Sequence, residues 1–176
     1  EATADFALAV GLSARAAGQA GVAIGNSART GTGTECISIG SNTGSVVSTG
    51  ARNISIGASA LDANTSGADN VSIGRDAMTT ATTASNNISI GNNTCMNLSG
   101  GNNNTVVGYG AGSGITTGAS NLVLGLQAGS TLSSGNSNVL VGAGADVNSA
   151  TAASRIVLGS NAVGLVDNSL TIDPIR

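Results

Sequence analysis

Side chains able to do chemistry are scarce in this chain. Its 176 residues include no histidine, and all 6 of its basic residues are arginine. That removes His-based triads, histidine metal ligands and imidazole acid–base steps. The nine acids are Glu1, Asp5, Glu35, Asp62, Asp69, Asp76, Asp146, Asp167 and Asp173. Asp62, Asp69 and Asp76 are the densest group, and a carboxylate pair across them would suit glycoside chemistry. Their spacing puts them in different columns of the repeat described below, so they read as solvated corners. Gly142-Ala143-Gly144-Ala145-Asp146 resembles one turn of a calcium-binding nonapeptide, but the Asp does not recur in tandem. Gly108, Gly110 and Gly112 have G-x-G spacing, yet the repeat explains Gly108 without a phosphate. The expectation is a chain with no catalytic residue, no metal and no cofactor.

Three further features bear on partners. Arg15 and Arg29 share a column, so they either hold an anion or an acid of a neighbouring chain, or fan outward into water. Cys36 and Cys95 lie three repeats apart, about 14 Å along a stack. A disulfide needs Cα atoms within about 7 Å, so the alternatives are cross-links between chains or two buried thiols, the second being favoured. Asn-x-Ser/Thr sequons occur at Asn53, Asn64, Asn70, Asn87, Asn92, Asn97 and Asn103. They are either glycan acceptors or a by-product of the repeat, which places Asn before Ser at Asn53, Asn70 and Asn87.

Composition narrows the class. Charged residues are 9% and aromatics 1%, against about 25% charged in ordinary domains. A net charge of -3 gives no electrostatic footprint for nucleic acid. No apolar run reaches the roughly 18 residues of a membrane helix. Disorder is excluded as well, because 40% of the chain is hydrophobic.

What positions these residues is a repeat. An aliphatic–small–aliphatic–Gly unit ends at Gly11 and Gly25, then at Gly40, Gly57, Gly74, Gly91, Gly108, Gly125, Gly142 and Gly159. The glycine intervals are 14, 15 and then 17 seven times. Three residues after each glycine stands a small residue, Ala14 through Ala162. Ten after it, in the longer units, stands Gly or Ala, and seven after it often an aliphatic (Val47, Leu98, Ile115, Leu132). Four before it runs Asn53, Asn70, Asn87, Asn104, Asn121 and Asn138. Stacked repeats turn the Asn column into a ladder of amides and the glycines into corners of positive φ.

The triplets are β-branched, short and alternating, which predicts strands. The chain has no Asn-Gly dipeptide, the common two-residue hairpin turn. Parallel stacking with one short strand per 14–17-residue repeat follows: an all-β parallel β-solenoid. Ten rungs make a rod of about 45–50 Å. The expected divisions are residues 1–39 (14/15-residue repeats), 40–163 (17-residue repeats) and 164–176 (exit or cap), all one continuous solenoid. Leu170-Thr171-Ile172 is a last triplet, with Asp173 in the glycine position and Pro174 placed to stop the stack. Repeats begin almost at Glu1, so the chain is read as a piece of a longer polypeptide or a processed product.

The middle triplet position runs Ala9, Ala23, Ser38, Ser55, Ser72, Ser89 and then Val106, Val123, Leu140, Val157. It is expected to point away from the coil. The four aliphatics would then form an exposed stripe, the expected interface between chains.

Phe6-Ala7-Leu8-Ala9-Val10-Gly11 through Gly21-Val22-Ala23-Ile24-Gly25-Asn26-Ser27-Ala28 resembles the head repeats of YadA-like trimeric autotransporter adhesins. The 17-residue units, such as Asn87-Ile88-Ser89-Ile90-Gly91 through Gly100-Gly101-Asn102-Asn103, resemble repeats of phage tail fibres and large-virus fibre proteins. Asp-Pro-Ile-Arg at the end is similar to a boundary in the latter. The resemblance spans residues 5 to about 163, and the 17-residue period departs from the adhesin pattern. It implies a homotrimer of left-handed β-rolls acting as a surface fibre or adhesin, at a virion or cell surface. The expected partners are the chain itself and a receptor or glycan, without nucleic acid or membrane insertion. Ice binding is the alternative, lacking the usual Thr-x-Thr columns. A polysaccharide depolymerase is a third class, lacking carboxylate clusters and aromatic clefts.

Overall fold

A computed structural model describes residues 1–44 and 48–172 of the chain. Val47, Asp173, Pro174 and the rest of the Asp-Pro-Ile-Arg end lie outside the described residues. Each triplet is a three-residue strand. In chain order these are β1 (Leu8–Val10), β2 (Val22–Ile24), β3 (Ile37–Ile39), β4 (Ile54–Ile56), β5 (Val71–Ile73), β6 (Ile88–Ile90) and β7 (Thr105–Val107). Then follow β8 (Leu122–Leu124), β9 (Val139–Val141), β10 (Asp146–Val147), β11 (Ile156–Leu158), β12 (Val163–Gly164) and β13 (Leu170–Ile172). Eleven of them form one parallel sheet in the order β1-β2-β3-β4-β5-β6-β7-β8-β9-β11-β13, and β10 pairs with β12. Triplet stacks on triplet without slip, Leu8 on Val22 at one end and Ile156 on Leu170 at the other. The architecture is an all-β parallel β-solenoid, and residues 164–172 supply a further coil. At about 4.8 Å per rung the ten steps between strands span about 48 Å.

The coils keep their strand face in register although their lengths differ. From Gly11 the chain passes Ala14 and reaches Gly18 after Arg15, Ala16 and Ala17. From Gly91 it passes Thr94 and reaches Gly101 only after six residues, Cys95 to Gly100. The three additional residues are all accommodated in the wall opposite the strand. Corner glycines are required by geometry: Gly91 has φ +132, and a Cβ there would lie 2.6 Å from the carbonyl oxygen of Gly108 on the next rung.

The middle triplet position faces the interior, contrary to the sequence expectation. Val106, Val123, Leu140 and Val157 are each 0% exposed, so they are core and not an interface. Alternation says only that the middle side chain opposes its two neighbours. With both sides apolar, the width of the coil decides which side is in. The first coils are thin and their interior is alanine, Ala16, Ala23 and Ala28. In the wider coils the interior volume is shared between the middle position and the position four after the glycine. Ser55, Ser72 and Ser89 stand with Leu61, Met78 and Cys95, whereas Val106 and Val123 stand with Gly112 and Gly129. A Cβ on Gly112 would come 3.0 Å from Val106 Cγ1, and one on Gly129 3.1 Å from Val123 Cγ1. From β4 to β8 the change from Ser to Val along the strand column is thus offset by the change from a side chain to Gly across the core, whereas Ser38 stands with Gly44 and Leu140 with Asp146. Leu98, Ile115 and Leu132, from the lengthened wall, complete the interior.

The asparagine column is a second, polar core. Asn53, Asn70, Asn87, Asn104, Asn121 and Asn138 are all buried. Each Nδ2 from Asn70 onward donates to the Oδ1 of the preceding Asn at 3.0–3.1 Å. Each Oδ1 also accepts the backbone N–H of the next ladder residue, as Asn104 does from Asn121 at 3.0 Å. The Nδ2 groups further donate to backbone carbonyls, Gly118 at 2.9 Å in the case of Asn104. Cys36 occupies the same column before the ladder begins, its Sγ 3.4 Å from the Gly50 carbonyl. Arg155 ends it. Its N–H donates to Asn138 Oδ1, and its guanidinium donates to Asp167 Oδ1 at 2.6 Å, Asn148 Oδ1 at 2.5 Å and the Gly164 carbonyl at 2.6 Å.

Candidate self-association face

With the middle side chains turned inward, the first and third residues of every triplet face outward. Twenty-two positions in two columns run along the eleven-stranded sheet, and all but Thr105 are aliphatic. They remain half-exposed or exposed in this chain, reaching 59% at Leu170 and Ile172. Two columns of exposed residues border the strip. One, five residues before each glycine, marks where the chain enters the strand, and several of its members have left-handed φ, including Phe6 (+60), Arg52 (+57) and Asp69 (+60). The other, directly after each glycine, marks where the chain leaves the strand and includes Leu12, Arg75, Tyr109 and Leu126. Counting both borders, the face measures about 48 Å by 15 Å, or about 700 Å². The aliphatic strip inside those largely polar borders, about 7 Å wide, lies within the roughly 300–600 Å² of the largest apolar patch on a typical monomer, a size that is often functional.

Among the described residues the charged side chains do not converge on one site. Asp69 is held by Arg52, Nε to Oδ1 at 2.6 Å and Nη2 to Oδ2 at 2.8 Å, and this hydrogen bonding keeps its carboxyl below the usual range. Asp76 lies 3.6 Å from Arg75, and Asp62 is half-buried. Asp146 accepts from Ser130 Oγ at 2.8 Å and from the Thr131 and Val147 amides, which makes it a backbone cap. Among the described residues no three His, Cys, Asp or Glu side chains are grouped to hold a metal ion. Gly108, Gly110 and Gly112 donate their N–H groups to the carbonyls of Ile90, Asn92 and Ala128, leaving none to cradle a phosphate. Arg15 and Arg29 are paired by backbone on adjacent rungs with exposed side chains.

Cys36 and Cys95 are free and buried. Burial pushes both thiols up, Cys95 to about 12. Of the sequons, Asn53, Asn64, Asn70 and Asn87 are buried, while Asn92, Asn97 and Asn103 are exposed.

A hydroxyl ladder went unread in the sequence. Thr49, Thr65, Thr82, Ser99 and Thr116 each donate to the carbonyl of the residue above, at 2.9–3.4 Å. The signal was available as Thr or Ser recurring eight residues after Gly57 to Gly125. Compared with known proteins, the chain matches no family model and no curated relative.

Proposed function

We propose that the chain is a segment of a structural, adhesive surface fibre, viral, phage or bacterial. In this reading it is a stiff rod whose copies pack along the aliphatic sheet face as a homotrimer, presenting the opposite wall to a receptor or glycan. The observation that carries this is the uncovered two-column face running the whole length of the sheet. Burying one such aliphatic contributes about 1.5–3 kcal/mol. The resemblance to YadA-like heads supplies the number three and the left hand. The acids are scattered, and Asp69, Asp76 and Asp167 are each paired with an arginine, which supports a non-enzymatic role.

Light scattering on the purified chain tests it. The expected mass is about three times the 16.7 kDa chain, falling to one chain when Ile73→Glu and Leu124→Glu place charges on the face. A monomeric wild type would sink the proposal. Ice binding is a second reading, favoured by the hydroxyl ladder with its strand-spaced repeats. Thermal hysteresis that disappears in Thr82→Val would support it over the first.

A further inference from the structure

Four of the seven Asn-x-Ser/Thr sequons stand where the fold leaves no room for a sugar. Asn53, Asn64, Asn70 and Asn87 are at most 5% exposed, and both hydrogens of each side-chain amide are spent. Asn70 Nδ2 donates to Asn53 Oδ1 at 3.0 Å and to the Ala84 carbonyl at 2.8 Å. Asn87 Nδ2 reaches Asn70 Oδ1 at 3.1 Å and the Gly101 carbonyl at 3.0 Å. Asn53 Nδ2 serves the Gly50 and Gly67 carbonyls, and Asn64 Nδ2 serves the Gly67 carbonyl and Ser48 Oγ. N-glycosylation joins this nitrogen to the sugar C1 while the bond from C1 to a lipid diphosphate breaks, and the displaced amide proton leaves with the diphosphate. The product keeps one N–H, so a buried acceptor loses its donor. Its oligosaccharide stands between rungs that pack without space for it, and the modified coil must open.

Folding encloses these asparagines too late to shield them. The ladder joins residues 17 apart, so Asn70 is not enclosed until the rung of Asn87 has been made. Synthesis at about 5–20 residues per second takes about 1–3 s per rung, and through that time the extended Asn70-Val71-Ser72 is open to transfer. The other sequons add to the conflict. Asn92 and Asn103 are exposed, but they stand on the exit and entry borders of the sheet face, where a sugar would obstruct the packing proposed above. Of the seven, only Asn97 on the exposed wall would carry a sugar without conflict. The cysteines agree by a separate route. Cys36 and Cys95 are free and buried, with about 14 Å between their rungs, so an oxidising lumen would trap the nascent thiols in bonds that the fold cannot contain.

We infer that N-glycosylation and the stacked rungs exclude one another, and that this chain is made and folded where asparagine is not glycosylated, which in a eukaryotic host is the cytoplasm. Within the fibre reading this favours a particle assembled inside the cell over a protein exported through the secretory pathway. The test expresses the full chain in eukaryotic cells, once in the cytosol and once directed to the secretory lumen, with mild reductant in every lumenal arm. Sugar occupancy is read by mass spectrometry and folding by protease resistance. The cytosolic chain is expected bare and resistant. The lumenal chain is expected to carry sugar on one or more of the four buried asparagines and to be digested at least about tenfold faster, because digestion follows the open population. Two rescues are expected in the lumen. One is inhibition of lipid-linked oligosaccharide synthesis. The other is S55A/S66A/S72A/S89A, which removes the four buried sequons and keeps every asparagine; alanine already fills the middle triplet position at Ala9 and Ala23. A lumenal wild type that is resistant, whether its buried asparagines are bare or modified, overturns the inference, and so does one that stays sensitive when transfer is inhibited. Oligomer mass enters none of these readouts, so a monomeric chain that behaves as expected here defeats the self-association reading and leaves this inference standing.

Discussion

Replacing Asn104 by alanine tests the polar ladder at its middle. The Asn104 amide donates to Asn87 Oδ1 at 3.1 Å and to the Gly118 carbonyl at 2.9 Å, and its Oδ1 accepts from Asn121 N and Nδ2, both at 3.0 Å. After truncation Asn87 Oδ1 still receives the residue-104 amide, and Asn121 Nδ2 still reaches the Gly135 carbonyl. The Gly118 carbonyl and the Asn121 N–H lose the partners that the ladder supplied. Leaving a buried polar group unpaired costs about 1–3 kcal/mol, so the loss should be about 2–6 kcal/mol. With a urea slope of about 2 kcal/mol/M, the midpoint should fall by about 1–3 M. The assay is urea unfolding by circular dichroism, with hydrogen exchange at the Asn121 amide reporting the break locally. Asn97→Ala, on the exposed wall, should change stability by less than about 0.5 kcal/mol. If N104A unfolded within that margin of wild type and kept its Asn121 amide protected, the ladder would not be holding the stack.

The exchange of volume across the core predicts that Ser72→Val overpacks against the Met78 side and costs about 1–3 kcal/mol. Adding Met78→Gly should recover at least half of it, and additive losses in the double-mutant cycle would refute the coupling. Gly91→Ala should prevent rungs from stacking, seen as loss of the folded circular-dichroism signal, since its Cβ meets the Gly108 carbonyl at 2.6 Å. Cys95, with a folded pKa near 12 against 9 in the open chain, contributes stability that is full below pH 9 and is lost as pH rises toward 12. Cys95→Ala should flatten that alkaline decline in thermal melts, and native Cys95 should resist thiol reagents until unfolding. The Asp167 carboxyl is held low by the Ala153 amide and by Arg155. Its contribution is therefore present above the ordinary carboxylate pKa and lost as pH falls through the depressed one. Asp167→Asn should weaken that acid dependence, read as hydrogen exchange in β13.

The stack itself was legible because seven equal intervals between glycines cannot accompany any arrangement but repeated coils. The Asn ladder was legible for the same reason, as a buried polar side chain tolerates no change where its partners are its own copies. Inside and outside were not legible from Val106, Val123, Leu140 and Val157, since aliphatics lie on both sides of those four strands. The deciding signal sat six residues away, at Leu61, Met78 and Cys95 against Gly112 and Gly129, where bulk is traded across the coil. Arg155 was likewise hidden. It breaks the Asn column in sequence, and only its reach to Asp167, Asn148 and Gly164 shows that it closes the column in space.

Because the lengthening from Arg15–Ala17 to Cys95–Gly100 is absorbed entirely by the wall opposite the sheet, the molecule separates what must stay fixed from what is free to vary. Segments inserted at Met96 or Asn97, both exposed, would leave every triplet in phase with the one below. Outward loops can therefore be diversified coil by coil, or peptides grafted there at intervals of about 4.8 Å, without disturbing the aliphatic face of the sheet.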